Sequence, residues 1–342
     1  MLACLRAVGN TSQPGGPARA GTDDAARRDG FAVRLVMAVV GLGAIGVAVA
    51  YVLSRIPIWP WALLEHFRLQ FAVGGSVVMA LAAALRMAGY FDVAAVATIL
   101  QVLPLTADVC QSPAALPVDG VALRVLVLNV ETENDRFDLV RQLIAAEDPD
   151  VVGLVEVDRR WLAGVAPAVA GYPGRIESPR DDNFGVALYA RGELRGAAEI
   201  VGGELPTVFA ELALRGARLR VILTHPPPPV SRGVLAMQYA QLAALARRVP
   251  GPEPVILMGD LNATPWSQPL RWLHDHTGLC DSRAGFGMQL SWNARAPAQL
   301  LRIPIDHLLA SCTIGVADRR IGSAVGSDHL PVLLDLVVPR AP

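Results

Sequence analysis

One stretch restricts this chain more than any other: Leu35 to Leu53, LVMAVVGLGAIGVAVAYVL, carries no charged side chain. At about 1.5 Å rise per residue an α-helix of this length spans roughly 28 Å, close to the hydrocarbon thickness of a bilayer. Its Leu, Ile and Val residues contribute about −3 to −6 kcal/mol to insertion, and nothing charged opposes them. A helix of a soluble domain keeps one polar face. The run therefore predicts a transmembrane helix. Ala48-Val49-Ala50 resembles a signal-peptidase site, but the long leader ahead of the run argues against a cleaved signal.

Two more apolar runs follow, Phe71 to Leu85 and Phe91 to Leu105, joined by RMAGY. They predict helices over 69–85 and 91–105, with a re-entrant hairpin as the alternative. Asp92 would cost about +2.5 to +3.5 kcal/mol at mid-bilayer. A tight turn at the interface holding Arg86 and Asp92 avoids that cost. Trp59 and Trp61 suit the interfacial belt.

The arginines set the expected orientation. Arg6, Arg19, Arg27, Arg28 and Arg34 precede the first helix, against Arg55 and Arg68 in the first loop and Arg86 in the second. The positive-inside rule then puts the N-terminus in the cytoplasm. Three crossings leave the remainder on the exoplasmic or periplasmic side of the plasma (inner) membrane; two would leave it in the cytoplasm. The expected organisation is a flexible tail over 1–30, rich in Gly, Ala, Pro, Asp and Arg; a membrane region over 31–105; a Pro-containing linker over 106–117; and a soluble domain over 118–338.

From Val118 onward the chain holds 22 Arg and no Lys against 25 Asp plus Glu, a formal charge of −3. A sequence-independent nucleic-acid binder shows a basic footprint, which this total lacks, although a local Arg groove is compatible with it. Cys4, Cys110, Cys280 and Cys312 form no CxxC or Cys/His ligand spacing, which excludes the usual zinc motifs. Buried free thiols are the expectation for Cys280 and Cys312, with a disulfide in an oxidising compartment as the alternative.

The soluble part alternates short β-branched runs with helical patterns. VALRVLVLNV, PDVVGLVEV, FGVALYAR, LRVILTH, PVILMGD, IDHLLAS and LPVLLDLVV read as strands, and RFDLVRQLIAAE and VLAMQYAQLAALARRV as helices. This is a mixed α/β pattern with helices packed outside sheets. Polar residues collect where the strands stop: Asn129, Glu156, His225, Asp260, Asn262, and Asp328-His329 before the last strand. Open α/β sheets place ligands at such a rim. A carboxylate following VILMG would be costly to bury without a metal or a hydrogen-bonded partner.

In order along 121–338, the segments LNV, PDVVGLVEV, GVALYAR, THPPPP, GDLNATPWS, IDHLLAS and GSDHLPVLLDL resemble the endonuclease/exonuclease/phosphatase superfamily, and the apolar front end is similar to its membrane-anchored bacterial branch. The resemblance implies a four-layer α/β sandwich, two packed mixed β-sheets flanked by helices. It also implies a hydrolase of phosphoester bonds that uses Mg²⁺ (or Mn²⁺). By the same resemblance Glu156 would be the principal metal ligand, with Asn129 and Asp328 assisting directly or through water. Asp260 would orient or deprotonate the attacking water, and Asn262 would hold the phosphate or the Asp260 carboxylate. His329, oriented by Asp306, would contact the phosphoryl oxygen or act as base. His225 would be the general acid or a phosphate contact, and Asn183 would meet the substrate.

Plainer readings exist for several residues. Asp260 and Asn262 could form an Asx turn, and PPPP is expected to be a rigid loop beside the cleft. Alternation points His307 to the face opposite Asp306, and His274 and His276 are expected in a solvated loop. Candidate partners are a phosphoester (nucleic acid, lipid head group or small phosphodiester) and the bilayer itself; no protein partner is expected. The competing hypothesis is a catalytically silent, membrane-tethered binding domain.

Overall fold

The computed structural model describes residues 20–341. Residues 1–19, with Cys4 and most of the expected tail, lie outside the described residues. From Ala20 the chain is already helical: α1 spans Ala20–Ser54, so the tail expected to reach residue 30 ends earlier. A 3-10 turn, Trp61–Phe67, leads into α2 (Arg68–Ala84), and α3 spans Ala88–Cys110. Helix α3 thus takes up the first part of the expected linker. Gly30–Ser54, Trp61–Ala84 and Ala88–Thr106 are each long and apolar enough to cross a membrane. Arg86, at φ 58°, closes the turn between α2 and α3 as its flanking runs require. Arg68, expected in the first loop, is instead the first residue of α2, buried and donating to Gln101 Oε1 at 3.1 Å.

The three helices contact one another through small residues while Leu42, Val52, Val77 and Ile99 stay exposed. Gly75 shows why: a Cβ there would lie 2.2 Å from Thr98 Oγ1. Close approach at small residues replaces hydrophobic burial as the source of cohesion between helices in lipid.

The remainder forms two six-stranded mixed sheets. The first holds β1 (Gly120–Asn129), β2 (Val151–Val155), β3 (Gly174–Ser178), β4 (Val186–Ala190), β11 (Gly315–Ile321) and β12 (Val332–Pro339), in the order β11-β12-β1-β2-β4-β3. The second holds β5 (Glu193–Ile200), β6 (Pro206–Leu214), β7 (Ala217–Thr224), β8 (Val255–Asp260), β9 (Cys280–Asp281) and β10 (Asp306–Ala310), in the order β5-β6-β7-β8-β10-β9. Outer layers come from α4 (Phe137–Glu147) and α5 (Arg159–Val165) on one side, α6 (Arg232–Arg248) and α7 (Gln268–Thr277) on the other.

Strand β1 explains the layering. Its Val125 and Val127 enter the core between the sheets, while Leu126 and Leu128 pack with Val140, Ile144 and Trp161 of the outer helices. A strand apolar at every position must be covered on both faces. In sheet two Leu223, Ile256 and Met258 face the inter-sheet core, whereas Ile222 and Leu257 meet Leu242, Leu245, Leu270 and Leu273. Each sheet contains one parallel pair, β1 with β2 and β7 with β8, bridged by α4 and α6. The carboxyl ends of all four strands meet at one rim.

Two further expectations need correction. Cys280 and Cys312 form a disulfide, with their Cα atoms 5.2 Å apart, instead of remaining free thiols. Antiparallel pairing of β9 with β10 brings Cys280 opposite Ala310, two residues before Cys312. His274 and His276 lie not in a loop but in the last turn of α7; both are exposed, and His276 stacks on Trp272.

Gly259 fixes the backbone immediately before Asp260. It sits at φ +138°, and a Cβ on it would lie 2.0 Å from Thr224 O of the adjacent strand. Gly259→Ala should therefore lower stability by about 3 kcal/mol or more, seen as a lower Tm of the detergent-solubilised protein. An unchanged Tm would mean that β7 and β8 can separate there.

Candidate functional site

The rim gathers the residues singled out by sequence. Asn129 ends β1, Glu156 follows β2, His225 follows β7 and Asp260 ends β8. Asp306 opens β10 and pairs with Asp260 across the sheet. Asp328 and His329 precede β12. Glu156 and Asn262 adopt left-handed backbone conformations, φ 62° and 49°, which turn their side chains back over the strand ends.

Hydrogen bonds tie these groups into one cluster. Asn129 Nδ2 donates to Glu156 Oε1 at 2.8 Å and to Asp260 Oδ2 at 3.1 Å. Asp260 Oδ1 accepts from Asn262 N at 2.8 Å. Asp260 Oδ2 lies 3.5 Å from His225 Nε2 and 3.4 Å from His329 Nε2. The other ring nitrogen of His329 meets Asp306 Oδ2 at 2.8 Å. Asn262 Nδ2 contacts His225 Nε2 at 3.1 Å and donates to Pro226 O at 3.0 Å. His329 Nε2 is 3.9 Å from Asp328 Oδ1. His307, as alternation requires, turns away and meets Ala263 O at 2.7 Å.

Burial and charge compete at each group. Burial opposes the charged form of His329, but Asp306 and Asp260 outweigh it and raise its pKa. His225 is raised for the same kind of reason, against burial, by its contact with Asp260 and the nearby Glu156. Burial works against the Asp260 carboxylate, yet His329 and His225 together hold it below the usual range. Glu156 and Asp328 behave oppositely: burial raises both, and His225 and His329 only partly compensate. Two anions at this rim thus lack sufficient positive charge.

The cluster opens into a cavity of about 430 Å³. Glu156, Asp260, Asp328, His225, His329 and Asn262 line it, with Asn183 and Asp182 on the rim. No Arg or Lys is among the described lining residues. Asp260, Asp306 and His329 present ligand-type atoms within 4.8 Å of one another, a set that could hold a metal ion. The Asp306–His329 hydrogen bond uses Asp306 Oδ2 and one ring nitrogen of His329, while Asp306 Oδ1 is buried without a hydrogen-bond partner; Glu156 and Asp328 are the carboxylates whose charge burial disfavours.

Sequence reasoning missed two supporting residues. Glu131 accepts from Asp328 N at 3.2 Å and pairs with Arg295 Nη1 at 2.7 Å. Trp292 Nε1 donates to Asp328 Oδ2 at 3.0 Å. Glu131 stands in NVETEND among other acids, where it reads as a solvated loop residue, and nothing local distinguishes Trp292. The Trp61–Phe67 turn was also unforeseen here: Leu63, His66 and Phe67 line the same cavity.

Comparison with known proteins agrees with this geometry. No curated protein matches the chain. Among solved structures, an endonuclease/exonuclease/phosphatase from Beutenbergia cavernae shares 24% identity, covering 65% of this chain and 72% of that one, with a TM-score of 0.52. A Bacteroides vulgatus endonuclease/exonuclease/phosphatase shares 18% over 64% of this chain and 99% of its own, with a TM-score of 0.54. D. rerio TDP2 complexed with single strand DNA product shares 16% over 63% and 98%, with a TM-score of 0.53. These likenesses establish the fold. The model of the Endonuclease/Exonuclease/phosphatase family matches residues 126–329, more than half of the sequence. The chain belongs to the endonuclease/exonuclease/phosphatase family.

Proposed function

We propose that the protein is a multi-pass membrane phosphoesterase that depends on a divalent cation, Mg²⁺ or Mn²⁺. One observation carries the reading: a cavity built for proton transfer is lined by four carboxylates, Glu156, Asp182, Asp260 and Asp328, and by no Arg or Lys among the described residues. A phosphoester is an anion and would be repelled there. A hard cation bound among oxygen donors removes the conflict.

The residues present fit such an ion. Glu156 would hold it, with Asp328 kept in place by Trp292 and Glu131. Asn129 turns its amide nitrogen to the carboxylates, while its Oδ1 accepts from Glu131 N at 2.9 Å. It therefore serves to position Glu156. When bound, the cation supplies charge neutralisation at the phosphoryl oxygens.

The remaining work belongs to side chains of this domain. Asp260, ionised and aimed into the cavity, orients the attacking water and accepts its proton. His329, kept protonated by Asp306, donates to a phosphoryl oxygen as charge builds. His225, protonated beside Asp260 with its Nε2 at 3.5 Å from Oδ2, faces the leaving group and can supply its proton. Asn183, on the rim, contacts the substrate beside it.

The apolar helices support a reading of sidedness. If all three cross, the α1–α2 connection and the end of α3 share one side, and the connection touches the catalytic domain. With the Arg-rich N-terminus in the cytoplasm, that side is exoplasmic. The DNA product on D. rerio TDP2 makes nucleic acid one candidate substrate class.

Hydrolysis of bis(p-nitrophenyl) phosphate by the full chain in detergent tests the reading. Mg²⁺ or Mn²⁺ should support turnover, and EDTA should lower it at least about a hundredfold, reversibly. Turnover indifferent to EDTA would remove the metal. No turnover with either ion would leave the silent binding domain.

A further inference from the structure

We propose that the connection between the first two membrane helices is the substrate-selecting wall of this site, and that the substrate is an amphiphile: a phosphoester whose apolar group lies against that wall. The inference rests on the phosphoesterase reading above and adds to it the class of molecule that enters.

The wall is a fixed part of the catalytic domain. Glu65, almost fully buried, accepts from Gln268 N at 2.7 Å at the start of α7, and Arg271 lies 3.6 Å from its other oxygen. His66 Nδ1 accepts from Thr264 N at 3.3 Å and meets the Thr264 hydroxyl at the same distance. Thr264 stands two residues beyond Asn262. Just past the turn, Gln70 Nε2 donates to Leu300 O at 2.8 Å and Arg302 O at 3.2 Å. Trp266, four residues after Asn262, packs with Ala72 and Leu105 of the membrane helices. Polar groups buried this thoroughly hold one geometry.

What the wall presents is apolar. Leu63 and Phe67 face the cavity together with Phe184, Val230, Ile303 and Ile305. The Asp and His cluster lines the same cavity, with the Phe184 and His225 ring centroids 5.2 Å apart. The cavity thus offers polar groups to a phosphoryl group and apolar surface to hydrocarbon. Phe67 and Val230 remain exposed, as do Ile58, Trp59 and Trp61. Aromatic and aliphatic residues at the ends of membrane helices belong at the lipid interface, so the mouth of the cleft opens where amphiphiles reside. A polyanionic strand would find no Arg or Lys among the described lining residues, and phosphate tracking along a strand needs such groups.

A homologous series of p-nitrophenyl alkyl phosphodiesters, methyl, butyl and octyl, isolates the apolar contribution, because the reacting group is constant. Assayed on the full chain in detergent with Mg²⁺ or Mn²⁺, kcat/KM should rise at least about tenfold from methyl to octyl. Leu63→Asp should cut the octyl-to-methyl ratio at least about fivefold. Partition of the ester into detergent is the same for both proteins, so the difference between ratios reports the wall. Phe67→Ser, at an exposed position that tolerates a polar residue, gives the same comparison if Leu63→Asp does not fold. Equal ratios in wild type and variants would overturn the proposal, as would faster turnover of thymidine 5′-(p-nitrophenyl phosphate) than of the octyl ester. Hydrolysis of the short esters with no chain-length dependence would sink this inference and leave the phosphoesterase reading intact. Failure to hydrolyse any ester would sink both.

Discussion

Asparagine at position 260 is expected to lower kcat for bis(p-nitrophenyl) phosphate at least about a thousandfold, with KM nearly unchanged. The substitution keeps the size of the side chain, and the oxygen that accepts from Asn262 N at 2.8 Å survives. The negative charge does not. Asp260 is the only carboxylate within 3.5 Å of both the His225 and His329 imidazoles among the described residues, and those imidazoles owe their raised pKa in part to it. Without it the water loses its proton acceptor, and both histidines release their protons more readily. Each effect falls on the transition state, where charge is moving, so kcat suffers more than binding. Because His225 and His329 can become neutral, the buried cluster is not left with an unpaired charge and the fold should survive. Circular dichroism and Tm of the variant check that. A rate within tenfold of wild type would reduce Asp260 to a turn residue.

Much of this site could be read from strand ends. VILMGD and VVGLVEV run apolar on both faces before an acid, so burial of the strand dictates where the acid must emerge. Two of the strands that escaped detection have the opposite character. β5, ELRGAAEI, is mostly exposed, and β3, GRIES, sits at the edge of its sheet. With one face in water and a Gly or charge at every second or third position, neither carries a run that periodicity can detect. Glu65 and His66 illustrate a different limit. Their partners, Gln268 and Thr264, are about two hundred residues away in sequence, and between two apolar runs an acid and an imidazole read as loop residues. The Cys280–Cys312 disulfide escaped for a related reason, since it depends on β9, a strand of two residues. The left-handed backbone at Glu131, Glu156 and Asn262 leaves no mark in composition.

Replacement of Glu156 by alanine should have an effect of similar size but a different signature. Glu156 sits where β2 ends, at φ 62°, and its carboxylate receives Asn129 Nδ2 at 2.8 Å and Thr132 N at 3.3 Å. Those donors orient the carboxylate, but burial still disfavours its charge, and the nearby His225 compensates only in part. A cation that binds this carboxylate gains the energy that burial has withheld from it. Truncation to alanine removes that oxygen ligand while Asn129 and Asp260 keep their own contact at 3.1 Å. The expected result is at least about a hundredfold increase in the Mn²⁺ concentration giving half-maximal rate, and a maximal rate at least about tenfold lower. Glu156→Gln should fall between alanine and wild type, since it retains an oxygen donor without the charge. Asp260→Asn, by contrast, should leave the metal titration midpoint within a few fold while depressing the plateau. The two profiles distinguish loss of a ligand from loss of a proton acceptor. An unchanged midpoint in Glu156→Ala would move the cation to the Asp260–Asp306–His329 group, whose ligand atoms lie within 4.8 Å of one another. In that case the Asp306–His329 hydrogen bond would have to open on loading, and Mn²⁺-induced broadening of the His329 ring resonances would follow directly.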